Sequence, residues 1–202
     1  MEGSTVYQFL GRYFVPYVDI GTFKQRLAQE LKYNVEHFQI EKAYEEITEE
    51  NVANKAILDK ILFESILYGD LKNIFIETLD NNPNLDVHTF KKRMEVFIEK
   101  INYGKLTNEL EKYMSPDGFL LMESISTTQP GTFFLAGFDF KTNSEDKLSS
   151  VRMLFSSVVP LVEPPNVGYF LSGVDIDLEK QTCLIMFKNI TNEIDNDFEE
   201  VT

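Results

Sequence analysis

Asp117, Asp139 and Lys141 are the residues whose types and spacing could do chemistry. Asp117 follows Pro116 at the start of an expected strand. Asp139-Phe140-Lys141 closes the next strand, with 21 residues between the two aspartates. Residues i and i+2 of a strand share a face. Asp139 and Lys141 are therefore expected to project together, while Phe134, Ala136, Phe138 and Phe140 point the other way. A pair of carboxylates can hold Mg²⁺, and a nearby ammonium can orient a water or stabilise charge developing on phosphorus. On that reading Asp117 and Asp139 ligate the metal, and Asp117, Asp139 and Lys141 form the catalytic set. The same residues also suit a plain role: Pro116-Asp117-Gly118 as a turn, and Asp139 and Lys141 as the solvated end of a strand.

The elements around these residues read as β-rich. Phe119–Ile125 and Thr132–Lys141 are expected to pair as a hairpin across Ser126–Gly131. Asn143-Ser144-Glu-Asp looks like a helix start, and the helix is expected to run to about Ser157. Gly168–Leu178 and Thr182–Ile190 then form a second hairpin across Glu179-Lys180. Val174, Ile176 and Leu178 alternate with Asp175 and Asp177, the pattern of a half-buried strand. Residues 115–190 thus read as a hairpin–helix–hairpin unit with a small, mainly antiparallel sheet of about four strands.

Residues 1–114 read as a mainly helical region. Phe23, Leu27 and Leu31 keep i, i+4 spacing behind Thr22, which is placed to cap a helix. Thr48-Glu-Glu-Asn looks like another helix start. Val52–Leu79 carries the longest helical pattern, with Gly69-Asp70 able to kink or split it. Phe90, Met94, Phe97, Ile98 and Ile101 mark a further helix from about Asp86 to Tyr103, and Leu106–Met114 a last short one. The fold class expected is α+β. Residues 191–202 form an acidic tail expected to be disordered.

A helix, a strand with an acid at its start, a hairpin partner ending Asp-x-Lys, then a helix: over about residues 105–157 this order resembles the PD-(D/E)xK nuclease superfamily. The resemblance implies Mg²⁺-dependent cleavage of nucleic acid at Asp117, Asp139 and Lys141.

Charge points elsewhere. The chain of 202 residues carries 33 acids against 19 bases, a formal net charge of −14. A field of that sign repels phosphate backbones and anionic membranes, so direct nucleic-acid or membrane binding is not expected. Two histidines and one cysteine argue against a structural zinc site on composition alone. No phosphate-binding glycine loop and no G-x-S-x-G elbow is present. Cys183, in a strand-like run, reads as an inert thiol, and a single cysteine suits a reducing compartment. No run of about 18 apolar residues suggests a membrane span.

These observations favour a non-enzymatic protein-interaction or regulatory component of a larger cytoplasmic complex, needing no cofactor and recognised by a protein partner. Two alternatives stand beside it. One is the metal-dependent nuclease, with Mg²⁺ as its cofactor. The other is an acidic inhibitor that covers the nucleic-acid-binding surface of another protein.

Overall fold

The computed structural model describes residues 15–69, 72–80, 86–101, 120–121, 133–160 and 167–188. The chain divides into two compact units, residues 1–70 and 71–202. The expected boundary at 114/115, the helix at 106–114 and the acidic tail lie outside the described residues.

In the first unit, α1 (Ile20–Glu30) is capped three residues before the expected Thr22. The Asp19 carboxylate accepts a hydrogen bond from the Thr22 backbone N–H at 2.9 Å, satisfying one of the orphan donors at a helix start. Phe23 and Leu27 of α1 are buried, as their spacing predicts. In α2 (Ile40–Glu50), Ile40, Ala43, Tyr44 and Ile47 are buried on one face. Thr48 does not start a helix. It sits buried inside α2 with its hydroxyl donating to the Tyr44 carbonyl, the alternative use of a capping-type side chain. The break comes at Asn51, whose side-chain oxygen accepts from the Ala53 N–H at 3.0 Å.

α3 (Asn54–Leu67) packs against both α1 and α2. Ile61, Leu62, Phe63, Ile66 and Leu67 are all buried, so its last two turns are apolar almost all round, with Glu64 partly exposed. Each such side chain contributes roughly 1.5–3 kcal/mol relative to exposure. The expected helix to Leu79 is split at Gly69. The Tyr68 N–H still donates to the Glu64 carbonyl at 2.9 Å, but beyond Gly69 the run Lys72–Thr78 is strand β1. Ile74, Phe75 and Ile76 are β-branched and aromatic residues that suit a pleated surface better than a helix.

The second unit is built on a wholly antiparallel sheet in the order β1-β6-β5-β4-β3-β2. Beyond β1, its strands are β2 (Leu120–Leu121), β3 (Phe133–Thr142), β4 (Leu148–Pro160), β5 (Val167–Asp177) and β6 (Thr182–Lys188). Strands β2 to β6 follow one another as a meander, and β1 is added at the far side of β6. The expected hairpin across Glu179-Lys180 is present as β5 and β6; of the first, Leu120 and Leu121 pair antiparallel with β3, and the turn expected at Ser126–Gly131 lies outside the described residues. The expected helix from Asn143 is not present: its residues form β4, the longest strand. Asn143 does accept backbone hydrogen bonds, from Glu145 N–H at 2.9 Å and Lys147 N–H at 3.1 Å. It does so in a tight turn, with Asp146 at φ 58°, because the side chain that caps helices also closes such turns.

α4 (Val87–Ile101) is capped by Asp86, whose two carboxylate oxygens accept from the Thr89 N–H at 2.8 Å and hydroxyl at 2.6 Å. It lays Phe90 and Met94 on one face of the sheet, where they join Leu135, Phe138, Phe140, Leu148, Val151, Phe155 and Leu178 in one core. The Phe90 and Phe140 rings meet edge-on at 5.3 Å. The alternation expected along β3 breaks at Ala136. A register shift between Leu135 and Gly137 puts Leu135, not Ala136, with Phe138 and Phe140. Val174, Ile176 and Leu178 face this core as their alternation predicts.

Gly69 is where the helical pattern has to stop. A Cβ there would sit 2.7 Å from the Ser65 carbonyl oxygen and 3.6 Å from that of Tyr17. Backbone atoms yield little, so Gly69→Ala is expected to destabilise the protein by about 1–3 kcal/mol. Urea denaturation followed by circular dichroism measures this, and an unchanged midpoint would contradict the assigned strain.

Candidate functional site

The strands place Asp139 and Lys141 very differently. Lys141 is exposed near the end of β3, opposite Ser150. Asp117 lies outside the described residues, so its pairing with Asp139 is not on view. Asp139 is 3% exposed and lies directly opposite Arg152 of β4, itself 8% exposed. The Arg152 Nε donates to Asp139 Oδ1 at 2.7 Å, and Nη2 donates to Oδ2. The two form a fork-to-fork pair on the sheet face opposite the α4 core.

Asp139 is thus neither a solvated strand end nor an open ligand. A divalent cation would have to displace a guanidinium held on both carboxylate oxygens, and would meet its positive charge. As placed, this carboxylate does not suit Mg²⁺. Among the described residues no group of three His, Cys, Asp or Glu side chains could hold a metal ion. The residue that sequence reasoning missed is Arg152, read as part of a helix. No alternation marked it: Val151, Met153, Leu154 and Phe155 surround Arg152 with apolar residues on both faces of the strand. Asp175, read as part of a solvated face, is half-buried and stands opposite Arg152 on its other side, giving the row Asp139, Arg152, Asp175 across three strands. Asp177 shares that face but closes the β5–β6 turn. It accepts from the Lys180 N–H at 2.9 Å and ammonium at 2.7 Å, and the ammonium's hydrogen bond holds its carboxyl below the usual range.

Two further places carry part of a site's geometry. The first unit has a cavity of about 220 Å³ bordered by Asp19, Arg26, Glu64 and Ser65, smaller than the ~300–1,000 Å³ usual for ligand pockets. Its charges are engaged with each other. Arg26 contacts Glu30 at 2.7 Å and Glu64 at 2.6 Å, and the Ser65 hydroxyl donates to the Ile61 carbonyl at 2.7 Å. Cys183 lies on β6, half-buried. Burial pushes its thiol up from the ordinary value, and the Asp175 and Glu77 carboxylates add to the effect, the opposite of what a nucleophile needs.

The feature that stands out is on the sheet's edge. β1 ends the strand order, and Ile74, Phe75 and Ile76 are 57%, 56% and 70% exposed. Three consecutive large apolar residues on both faces of an edge strand form a surface that proteins ordinarily protect. On the α4 side the aromatic surface continues inward: Phe75 meets Phe187 edge-on at 5.9 Å, and Phe187 stacks with Phe170 at 5.9 Å.

By its fold the chain is an α+β protein with an antiparallel sheet. No family model, no curated protein and no solved structure matches it. Among the described residues, no helix is long and apolar enough to cross a membrane.

Two measurements test this geometry. Arg152→Met leaves Asp139 buried without its partner and is expected to cost about 3–5 kcal/mol in chemical denaturation. Adding Asp139→Leu should restore a large part of that loss. Equal and additive effects of the two changes would remove the pair's assigned role. For Cys183, labelling by a disulfide reagent at pH 8 is expected to run slower than with a free cysteine and to speed up as pH rises through the elevated thiol pKa. A rate equal to the free thiol's would rule out the raised value.

Proposed function

We propose that this chain is a non-enzymatic protein-interaction component of a larger cytoplasmic assembly, with β1 as its contact surface. The observation that supports the reading is the exposed Ile74-Phe75-Ile76 run at the end of the sheet. An edge strand offers unpaired backbone donors and acceptors to a further strand, and the side chains on either face add apolar contact. An exposed run of this kind favours association, since burying a large side chain completely is worth roughly 1.5–3 kcal/mol and these are a little over half exposed. Its neighbours Phe187 and Phe170 widen the surface with aromatic area, the residue class enriched at interface centres.

The test compares wild-type protein and Phe75→Lys in the native source. In size-exclusion of gentle extracts, the wild type is expected to run in a species larger than the 23.4 kDa chain, and Phe75→Lys at monomer size with unchanged circular dichroism. Both proteins at monomer size would sink the reading. Salt separates it from an acidic cover over a basic surface: apolar edge pairing survives high ionic strength, whereas an assembly built on net charge dissolves steeply.

A further inference from the structure

We propose that the partner of β1 is a second copy of this chain, paired antiparallel along β1 about a two-fold axis at Phe75. The proposal rests on the reading that β1 is the contact surface, and it names the occupant.

The strand itself argues for self-pairing. A closed two-fold interface requires a surface complementary to itself. In a continuous sheet, residues directly opposite one another share a face. With the axis at Phe75, Phe75 meets Phe75, Ile74 meets Ile76, Asn73 meets Glu77, and Lys72 meets Thr78. Along the seven residues of β1 apolar then stands opposite apolar and polar opposite polar, and no like charges are opposed. The neighbouring registers that keep the faces matched do worse. An axis at Ile76 sets Phe75 against Glu77. An axis at Ile74 sets Phe75 against Asn73 and Lys72 against Ile76. The charges alone narrow the choice further, because an axis at Lys72 or at Glu77 would set that charge against its own copy.

The aromatic surface extends the argument beyond the strand. Phe75, Phe187 and Phe170 form one chain of ring contacts leading inward from the edge. Joining two copies at Phe75 makes that strip continuous across the seam, three phenylalanines from each side. A partner strand of unrelated sequence would supply the backbone ladder without this aromatic match.

Size and charge set the strength. A seam of one seven-residue strand from each copy buries well under the ~800 Å² per partner of a standard stable interface. The dimer is therefore weak, reversible and concentration-dependent. Each chain carries a formal charge of −14, so the copies repel one another at long range. Raising the salt concentration screens that repulsion and strengthens the dimer.

A cysteine on the axis tests the geometry directly. In a Cys183→Ser background, Phe75→Cys places a cysteine opposite its own copy, at the ~4.5–5.5 Å Cα spacing of an antiparallel pair, within the ~4.4–6.8 Å that a disulfide spans. Mild oxidation is expected to link the purified protein into a covalent dimer. Glu77→Cys in the same background is equally exposed and on the same face, but its copy lies four residues along the strand, ~13 Å away, and should not link. Equal linking of both variants, or of neither, overturns the proposal. Sedimentation of the uncrosslinked protein gives a second reading. Wild type should shift from monomer toward dimer with concentration, more so at high salt, and Ile76→Lys should weaken association by about tenfold or more. Wild type that stays monomeric at every concentration overturns self-pairing. If the assembly in the native source still depends on Phe75, the contact surface then belongs to another protein and the interaction reading stands. If it does not, both readings fall.

Discussion

Asp139 and Arg152 face one another across β3 and β4, both buried and joined through two hydrogen bonds. The pair constrains the sheet more than it stabilises it. Removing two charges from water costs several kcal/mol per ion, and their attraction repays that only in good geometry. The consequence is for register. A slip of β4 by one residue would carry Arg152 to the face where Phe138, Phe140 and Phe90 pack and leave Asp139 buried alone. Either outcome is prohibitive, so the meander from β3 to β5 is tied to a single alignment.

That alignment sorts the side chains of the longest strands. Val151, Met153 and Phe155 turn toward α4, while Arg152, Leu154 and Ser156 turn away, and most of both sets are buried. A strand covered on both faces loses the polar alternation of a surface strand. β4 accordingly resembles a helix to a reader of periodicity. It is made a strand by the turn at Asn143–Lys147 and by partners on either side.

The sheet is buried in its interior and apolar at the β1 edge. Among the described residues β1 carries no proline and no bulge, and three of its large apolar residues are exposed. The acidity of the chain acts in the opposite sense, keeping copies apart at long range and favouring reversible contact over aggregation. An edge strand of this composition on a strongly acidic protein suits contact that forms and dissolves.

Local chemistry was legible wherever a short stretch carries its own signal. The Phe-rich strand at Thr132–Lys141, the hairpin across Glu179-Lys180, the alternation from Val174 to Leu178 and the helices around Phe23 and Phe90 could all be read from the amino-acid sequence by itself, because turn chemistry and spacing act within a few residues. The acidic charge was legible for the same reason. Only the tertiary structure decided three other matters. It made Lys72–Thr78 a strand, since β6 supplies the ladder that a continued helix would not need. It made the residues after Asn143 a strand, since pairing with β3 and β5 outweighs a side chain able to cap a helix equally well. It also turned Asp139 from a suspected metal ligand into half of a buried ion pair. Its partner is 13 residues away, on a neighbouring strand, and spacing along a chain does not report which groups a sheet sets side by side.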